Sequence, residues 1–525
     1  MREHPISRRG FLAGASAATV AAALGPEAIA AVTRRPSLRG GRFAEGIMSG
    51  DPGPDGITLW TRLADVEGRG TVELEVARDR GFRRVVARKL VPTSAGTAHS
   101  VKARVRGLRP HEEYWYRFAT RGSDSQVGRF RTALPPDSRQ PVRFAFFSCQ
   151  DYTFGFFNAH ALLAEEDVDF VVCLGDYIYA DSQYAAGDQA GGVRTDPVGV
   201  AETLQQYRAK YALYRSDANL RRMHSRHPLI VIWDDHEVQN AYAGGAGPTG
   251  GLPPELRYSQ ARRTAAYRAF FESLPTYGAR RGSQRIYRGM RFGKTMDLVL
   301  LDQRQYRGDQ PCGDVPVAAP CPELDQPRPF LGDAQMSFVK NRLANTPAAW
   351  KVIANQTMVM GTRAPGGQLI GFDSWQGYPR ERRELLTHIR RRRIRDVVFV
   401  TGDIHTFVAG DVRVDNGDSR PVATEFVGGS ITSIGLGEGA GGVLPGANPF
   451  NPQTPPAIVD LLRQENPWVR DADFDHHGYG LVTAGPKSFS CTLRRTATIK
   501  SRSREALPGR RFTYRLARGE PSLLD

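Results

Sequence analysis

The sequence predicts a layered α/β core of β-strands and helices, preceded by a small all-β sandwich. Three observations carry that expectation. Six short apolar blocks each stop on a polar residue: Phe144–Cys149, Phe170–Asp176, Leu229–His236, Leu298–Asp302, Val352–Asn355 and Val397–His405. From about Gly41 to Ala133 the chain instead alternates with a period of two between closely spaced turns. Beyond Pro141 the apolar blocks are separated by helical stretches. A continuous apolar run suits a strand buried on both faces, and alternation suits a strand with one face in solvent. Strands that alternate with helices build layers.

Taken in order, residues 1–31 carry their own message. Ser7-Arg8-Arg9-Gly10-Phe11-Leu12 precedes small and apolar residues from Ala13 to Leu24, and Ala28-Ile29-Ala30 offers a small-residue cleavage site. Paired arginines before a weakly apolar segment read as a twin-arginine export signal, and the segment is too short to span a membrane. The expectation is a mature protein exported by the twin-arginine translocase, which carries folded cargo. It would be periplasmic, cell-wall associated or secreted, with no transmembrane segment. Residues 41–134 should form the sandwich, with strands at Gly56–Thr61, Thr71–Val76, Ser100–Val105, Tyr114–Phe118 and Gly128–Thr132. Within them, Leu108–Tyr114 followed by Tyr116 resembles the turn and strand of fibronectin/Ig-like modules. Residues 135–141 are a proline-stiffened linker.

The large domain should run over residues 142–500, with helices at Asn158–Glu166, Ala201–Tyr214, Tyr258–Ser273, Asp333–Asn345 and Arg380–Arg393. Two glycine-rich spans, Gly244–Pro254 and Gly428–Pro445, are too long for plain connections and are expected to rim an active site. The Arg-rich tail 501–525 shows no amphipathic period.

Seventy-one Lys and Arg against 55 Asp and Glu give a formal charge of +16, which favours anionic partners such as phosphate esters. The run Arg390–Arg393 reads as a solvated helix end complementing the dipole, and without interleaved aromatics it predicts no specific nucleic-acid recognition. Of five cysteines, Cys312 and Cys321 bracket a Pro-rich loop and predict a local disulfide in an exported chain. Cys173 lies inside an apolar strand, Cys491 gives no signal, and Cys149 stands at a strand end.

Residues just beyond the carboxyl ends of neighbouring strands collect along one rim of a sheet. Cys149, Asp176, Asp235, His236, Asp403 and His405 should therefore converge. The carboxylate of Asp176 can bridge two cations, and the phenol of Tyr179 can reach the same cluster across one turn. Carboxylate and amide oxygens suit Ca2+, whereas thiolate, phenolate and imidazole suit a transition metal, with phenolate favouring Fe3+. The mixture predicts a heteronuclear centre. Such a centre clamps a phosphate and lowers the pKa of a bound water. His236 would steer or protonate the leaving group. Arg304 would either hold phosphate bidentately or pair with Asp302 or another structural carboxylate.

In this order the motifs Ser148-Cys-Gln150, Gly175-Asp-Tyr-Ile-Tyr179, Trp233-Asp-Asp-His-Glu237, Leu301–Tyr306, Gly402-Asp-Ile-His405, Ala423–Val427 and His477-Gly-Tyr479 resemble the PhoD-like alkaline phosphatase and phosphodiesterase family over nearly the whole chain. The resemblance implies an α/β metallophosphoesterase-like core distantly similar to purple acid phosphatases. It implies a calcium- and iron-dependent enzyme that hydrolyses phosphate mono- and diesters, polymeric cell-envelope phosphodiesters among them, for phosphate acquisition. It further implies Cys149, Tyr179 and His405 as ligands of ferric iron and Asp176 as the bridge. Asp235, Asn240 and Asp403 fall on the calcium side, with Asp234 as the alternative to Asp235, and Asn355 as a further candidate. Two other classes compete: an exported calcium-stabilised binding or adhesion protein, and a thiol hydrolase with Cys149 as nucleophile and His236 or His405 as base. Structural calcium has no use for thiolate and phenolate, and crowded carboxylates raise a thiol's pKa.

Overall fold

The computed structural model describes residues 35–182, 191–244, 259–279, 281–314, 321–364, 367, 369–439, 447–448 and 450–515. The expected export signal at 1–31, positions 245–254 and 440–445 of the two glycine-rich spans, and residues 516–525 of the tail lie outside the described residues.

All six apolar blocks are strands, but they divide between two sheets rather than lining one. Val142–Phe147, Phe170–Cys173 and Leu229–Val231 are parallel neighbours, with Ala145, Val171 and Leu229 in register. Met296–Leu300, Trp350–Asn355 and Val397–Thr401 are parallel neighbours in the second sheet, with Leu298, Val352 and Val398 in register. The single rim expected from the sequence is thus two facing rims. Periodicity explains the burial: along the second sheet Leu298, Leu300, Val352, Ala354, Val398 and Val400 point into the core shared with Phe144, Phe146 and Val172. Their alternates Val299, Ile353 and Phe399 point outward, under the helices Gly332–Asn345 and Pro379–Arg391. Helices Asn158–Leu163, Leu204–Tyr214, Ala218–Arg226 and Gln260–Ser273 contribute to the core on the first sheet's side. The result is helix, sheet, sheet, helix.

The first sheet has nine strands, in the spatial order Ala506–Arg515, Ser488–Thr496, Gly478–Ala484, Val142–Phe147, Phe170–Cys173, Leu229–Val231, Ile47–Gly53, Gly56–Arg62 and Ser100–Arg106. Two boundaries move as a consequence. The large domain extends to residue 515, because Ala506–Arg515 pairs antiparallel with Ser488–Thr496 and buries Phe512 and Tyr514 against Phe426 and Trp350. Phe512-Thr-Tyr514 is a two-residue alternation hidden among arginines. At the other edge, Gly50 pairs in parallel with Leu229, so three sandwich strands continue the sheet of the large domain. A Cβ at Gly50 would sit 2.6 Å from the carbonyl oxygen of Leu229, so this junction admits only glycine without a shift.

The second sandwich sheet orders Val85–Ser94, Arg69–Ala77, Glu113–Thr120 and Ser123–Asp124, with Gly128–Arg131 also paired to Glu113–Thr120. Between the sheets lie Ile57, Leu59, Leu74, Val76, Tyr116 and Phe118. All five predicted sandwich strands form; Ile47–Gly53, Val85–Ser94 and the short Ser123–Asp124 are additional to them. The hydroxyl of Tyr114 accepts the Arg109 N–H at 2.9 Å, the corner that fibronectin/Ig-like modules use.

Cys312 and Cys321 form the expected disulfide, while Cys149, Cys173 and Cys491 are free and buried. Arg390 ends its helix paired with Asp418 at 2.7 Å. Among the described residues no helix is long and apolar enough to cross a membrane.

Candidate metal centre

Three loops leave the first sheet's strand ends and one leaves the second's, and all meet. Cys149, Asp176, Asp403 and His405 each adopt a left-handed backbone, with φ of 56°, 54°, 69° and 56°. Asp and His enter that region more readily than most residues, and Cys does not. Such conformations cost on the order of 1–3 kcal/mol each and persist where the surroundings over-determine them. Here the surroundings are close. Gly175, with φ 122°, lies where a Cβ would fall 2.3 Å from that of Asp234, and a Cβ on Gly402 would fall 2.5 Å from the Ser148 hydroxyl.

The donor atoms form three overlapping groups, each with its atoms within 4.8 Å of one another: Cys149, Asp176 and His405; Asp176, Asp235 and His236; Asp234, Asp235 and Asp403. Asp176 links the first two and Asp235 the last two. The Tyr179 hydroxyl joins the first group, 3.2 Å from Asp176 Oδ2 and 3.0 Å from His405 Nε2. The Tyr179 ring stacks on His236, centroids 4.0 Å apart. Eight of the predicted site residues therefore sit together: Cys149, Asp176, Tyr179, Asp235, His236, Arg304, Asp403 and His405.

Electrostatics favour a cation here. Burial pushes the Asp176 carboxyl well above its ordinary range, with neighbouring Asp235 and Asp234 adding to the rise and His236 opposing it. Burial does the same to Asp403, reinforced by Asp234, and takes Asp234 to about 6 despite Arg304. Burial first, then the Asp176 charge, raises the Cys149 thiol well above its usual value, and Tyr179 behaves likewise. A thiol in that state is a poor nucleophile, which weighs against the thiol-hydrolase reading. Bound cations invert this logic, since thiolate, phenolate and carboxylates then find their counter-charge. Burial lowers His405 to about 4, so its ring is neutral near pH 7. Nδ1 donates to the Ile434 carbonyl at 2.7 Å, which leaves the Nε2 lone pair for a ligand. The donors present thus fit a mixed centre: thiol, phenol and imidazole at one end, carboxylates at the other, and a carboxylate between.

Three expected roles are corrected. Arg304 is fully buried, and each of its nitrogens is taken: Nε by Asp234, Nη1 by Asp373 at 2.6 Å, and Nη2 by Asp403 at 3.1 Å. It is a counter-charge for the acidic cluster rather than a phosphate clamp, so the carboxylate-pairing alternative is the arrangement seen, with partners other than Asp302. The Asn355 amide is spent within the core: its oxygen accepts from Gln303 and from Trp375 Nε1, and its nitrogen donates to Thr357 O and Thr401 Oγ1. Asn240 is exposed, and what it gives the cluster is a backbone N–H to Asp181 Oδ2 at 2.9 Å. Of the pair Asp234 and Asp235, Asp234 is committed to Arg304, whereas Asp235 belongs to two donor groups.

Sequence reasoning missed Glu237, Asp181 and Asp373. Glu237 accepts the N–H groups of Asp176, Tyr177 and Asp234 at 3.0, 2.6 and 2.8 Å, holding two ligand loops in register. Asp181 accepts from His236 Nδ1 at 2.7 Å. Asp373 anchors Arg304 together with Arg307 and Gln310. Glu237 stood within a quoted motif without a role; nothing local marked Asp373. The span after Gly428 also differs from a rim loop: Ser430–Ser433 are buried beneath Cys149.

Residues 144–493 match the family model described as PhoD-like phosphatase, and residues 28–134 match that of the PhoD-like phosphatase N-terminal domain. The chain is 34% identical to alkaline phosphatase D of Bacillus subtilis (strain 168), over 94% of this chain and 85% of the relative. A solved structure of PhoD superposes with a TM-score of 0.83 at 32% identity, covering 93% of each chain. A purple acid phosphatase from yellow lupin (Lupinus luteus) seeds shares the fold, with a TM-score of 0.54 at 13% identity, over 91% of this chain and 74% of that one.

Proposed function

The chain belongs to the PhoD-like phosphatase family, a phosphoric ester hydrolase of the metallophosphoesterase-like fold, and from that premise we propose that it hydrolyses phosphate mono- and diesters at an iron and calcium centre. The observation that carries the metal reading is the donor set, in which Cys149, Asp176 and His405 lie within reach of one ion and Asp234, Asp235 and Asp403 within reach of another. Fe3+ held by Cys149, Tyr179, His405 and Asp176, and Ca2+ held by Asp176, Asp235 and Asp403, would supply Lewis acidity toward phosphate and an acidified water.

The chain's own residues do the rest. Asp176 belongs both to the group of Cys149 and His405 and to that of Asp235 and His236, and Asp235 carries the link on to Asp234 and Asp403. His236 is held by Asp181 through Nδ1 and by stacking on Tyr179, which leaves Nε2 to give a proton to the departing alkoxide. Asp181 first, then Asp235, raise its proton affinity against burial. Arg304 balances the charge of Asp234, Asp373 and Asp403.

We further propose export by the twin-arginine route and a role in phosphate acquisition. The pattern Ser7-Arg8-Arg9-Gly10-Phe11-Leu12 supports the route, and the Cys312–Cys321 disulfide suits an oxidising compartment. Replacing Arg8 and Arg9 by Lys should retain the precursor in the cytoplasm; unchanged export by cell fractionation would refute the route.

Elemental analysis of the folded protein, read beside its visible spectrum, tests the centre. Iron near one per chain, with a broad tyrosinate-to-iron band that Tyr179→Phe abolishes, is the expected outcome. Calcium without iron or colour would overturn the roles of Cys149 and Tyr179 and restore the binding-protein reading.

A further inference from the structure

The hydrolytic site leaves unused a buried row of three polar side chains that runs behind it. Ser430 Oγ lies 2.8 Å from His477 Nδ1, and His477 Nε2 lies 2.9 Å from Glu438 Oε2. The residue types are those of a nucleophile triad. Burial argues against that use, because Ser430, Glu438 and His477 are 0%, 3% and 5% exposed. The Ser430 hydroxyl also donates to Ser433 O at 2.7 Å, so its lone pairs, not its hydrogen, face the imidazole.

What the row does hold is the loop that touches two of the ligands. Ile431, Thr432 and Ser433 direct their N–H groups at the Cys149 carbonyl, at 3.1, 3.3 and 3.2 Å, and the Ile434 carbonyl accepts from His405 Nδ1. These contacts are made by the loop's main chain, flanked by Gly429, Gly435 and Gly437; Thr432 Oγ1, donating to Asp151 O at 2.6 Å, and Ser433 Oγ, accepting from Asp151 N at 3.1 Å, tie its middle to the Cys149 loop, and its two ends need closures of their own. Two side chains close it, Ser430 onto Ser433 O and Glu438 onto Gly435 N at 3.0 Å. His477 clamps both closures with one ring. It is itself rooted in the first sheet, where its carbonyl accepts from Thr496 N and the next N–H, that of Gly478, reaches Ser430 O.

We infer that the Ser430–His477–Glu438 row is a positioning relay, which carries the rigidity of the first sheet into the loop that aims Cys149 and His405. The inference rests on the proposed function for what those two residues bind, and on geometry alone for how they are held.

Hydrogen exchange on the full-length, metal-free protein tests it, followed by iron titration and alkylation of Cys149. In His477→Leu, amides 431–433 and 435 should exchange at least about tenfold faster while those of Val142–Phe147 and Val397–Thr401 stay as they were. Cys149 should be alkylated faster with Cys173 and Cys491 unaffected, and iron should bind about 10- to 100-fold more weakly. His477→Gln, whose amide NH2 keeps a donor for one of the two acceptors, should recover part of the protection. Unchanged exchange in the loop, or exchange raised equally in every strand, overturns the relay. Should His477→Leu fail to fold, Ser430→Ala is read by the same criterion. A protein without iron or phosphoesterase activity would refute the proposed function and leave the exchange result standing.

Discussion

At the scale of single residues, Glu237 shows how a side chain that touches no substrate governs the site. Its two oxygens collect three backbone N–H groups from two loops. Glu237→Gln places an amide nitrogen against at least one of those donors, and an unpaired buried donor costs about 1–3 kcal/mol. The expected result is a fall of that size in denaturant stability, together with about 10- to 100-fold weaker iron binding in a metal-buffered titration. Unchanged metal affinity would mean that the loops hold their register without it. The residue types of the site were legible in the sequence because a thiol, phenol, imidazoles and carboxylates at strand ends leave few other uses. For Arg304 the sequence leaves phosphate binding and carboxylate pairing open for a physical reason: its partners Asp234, Asp373 and Asp403 come from three distant segments, and only folding shows that they saturate it. Asn355 fell the same way, its apolar strand being visible and its four amide partners not.

Elements were more legible than residues, and their assembly less so. Continuous apolar runs identified all six core strands, and alternation identified five sandwich strands. Neither pattern says which strands are neighbours, so two facing sheets read as one. Ala218–Arg226 and Pro456–Glu465 escaped notice as short helices, the first rich in polar residues, the second outside the core. Glu45 exemplifies what joins elements far apart in sequence. It accepts from Arg215, at the end of a core helix, and from Arg62 of the sandwich at 3.2 Å. Arg215 is fully buried. Glu45→Ala strands that charge, and removing one partner of a buried pair costs about 3–5 kcal/mol. A drop in urea midpoint of corresponding size is expected; a shift within error would show that Ser273 O and the Trp60 face suffice for Arg215.

For the whole molecule, acid sensitivity follows from buried imidazoles that are not among the proposed metal ligands. Burial lowers His160 to about 3 and His227 to about 4, and takes His224 well below its ordinary value. Each folded value lies under the unfolded one near 6.5, so below that pH the unfolded chain binds more protons. Their contribution is complete above about pH 6.5 and is lost as pH falls toward 4. Melting temperature should therefore decline between pH 7 and 5, and His227→Gln should flatten the decline; an equal slope in the variant would assign it elsewhere. The hydrogen-bonded seam at Gly50 and Leu229 has a mechanical meaning of its own. Force applied between residue 40, just ahead of Ile47–Gly53, and residue 515, on the far edge strand, is carried across the ladder of strands that joins Ile47–Gly53 to Ala506–Arg515, this seam included. In an optical trap the chain should give way in one rip, not in two successive steps, and the sandwich should not behave as a bead that slides free of its neighbour.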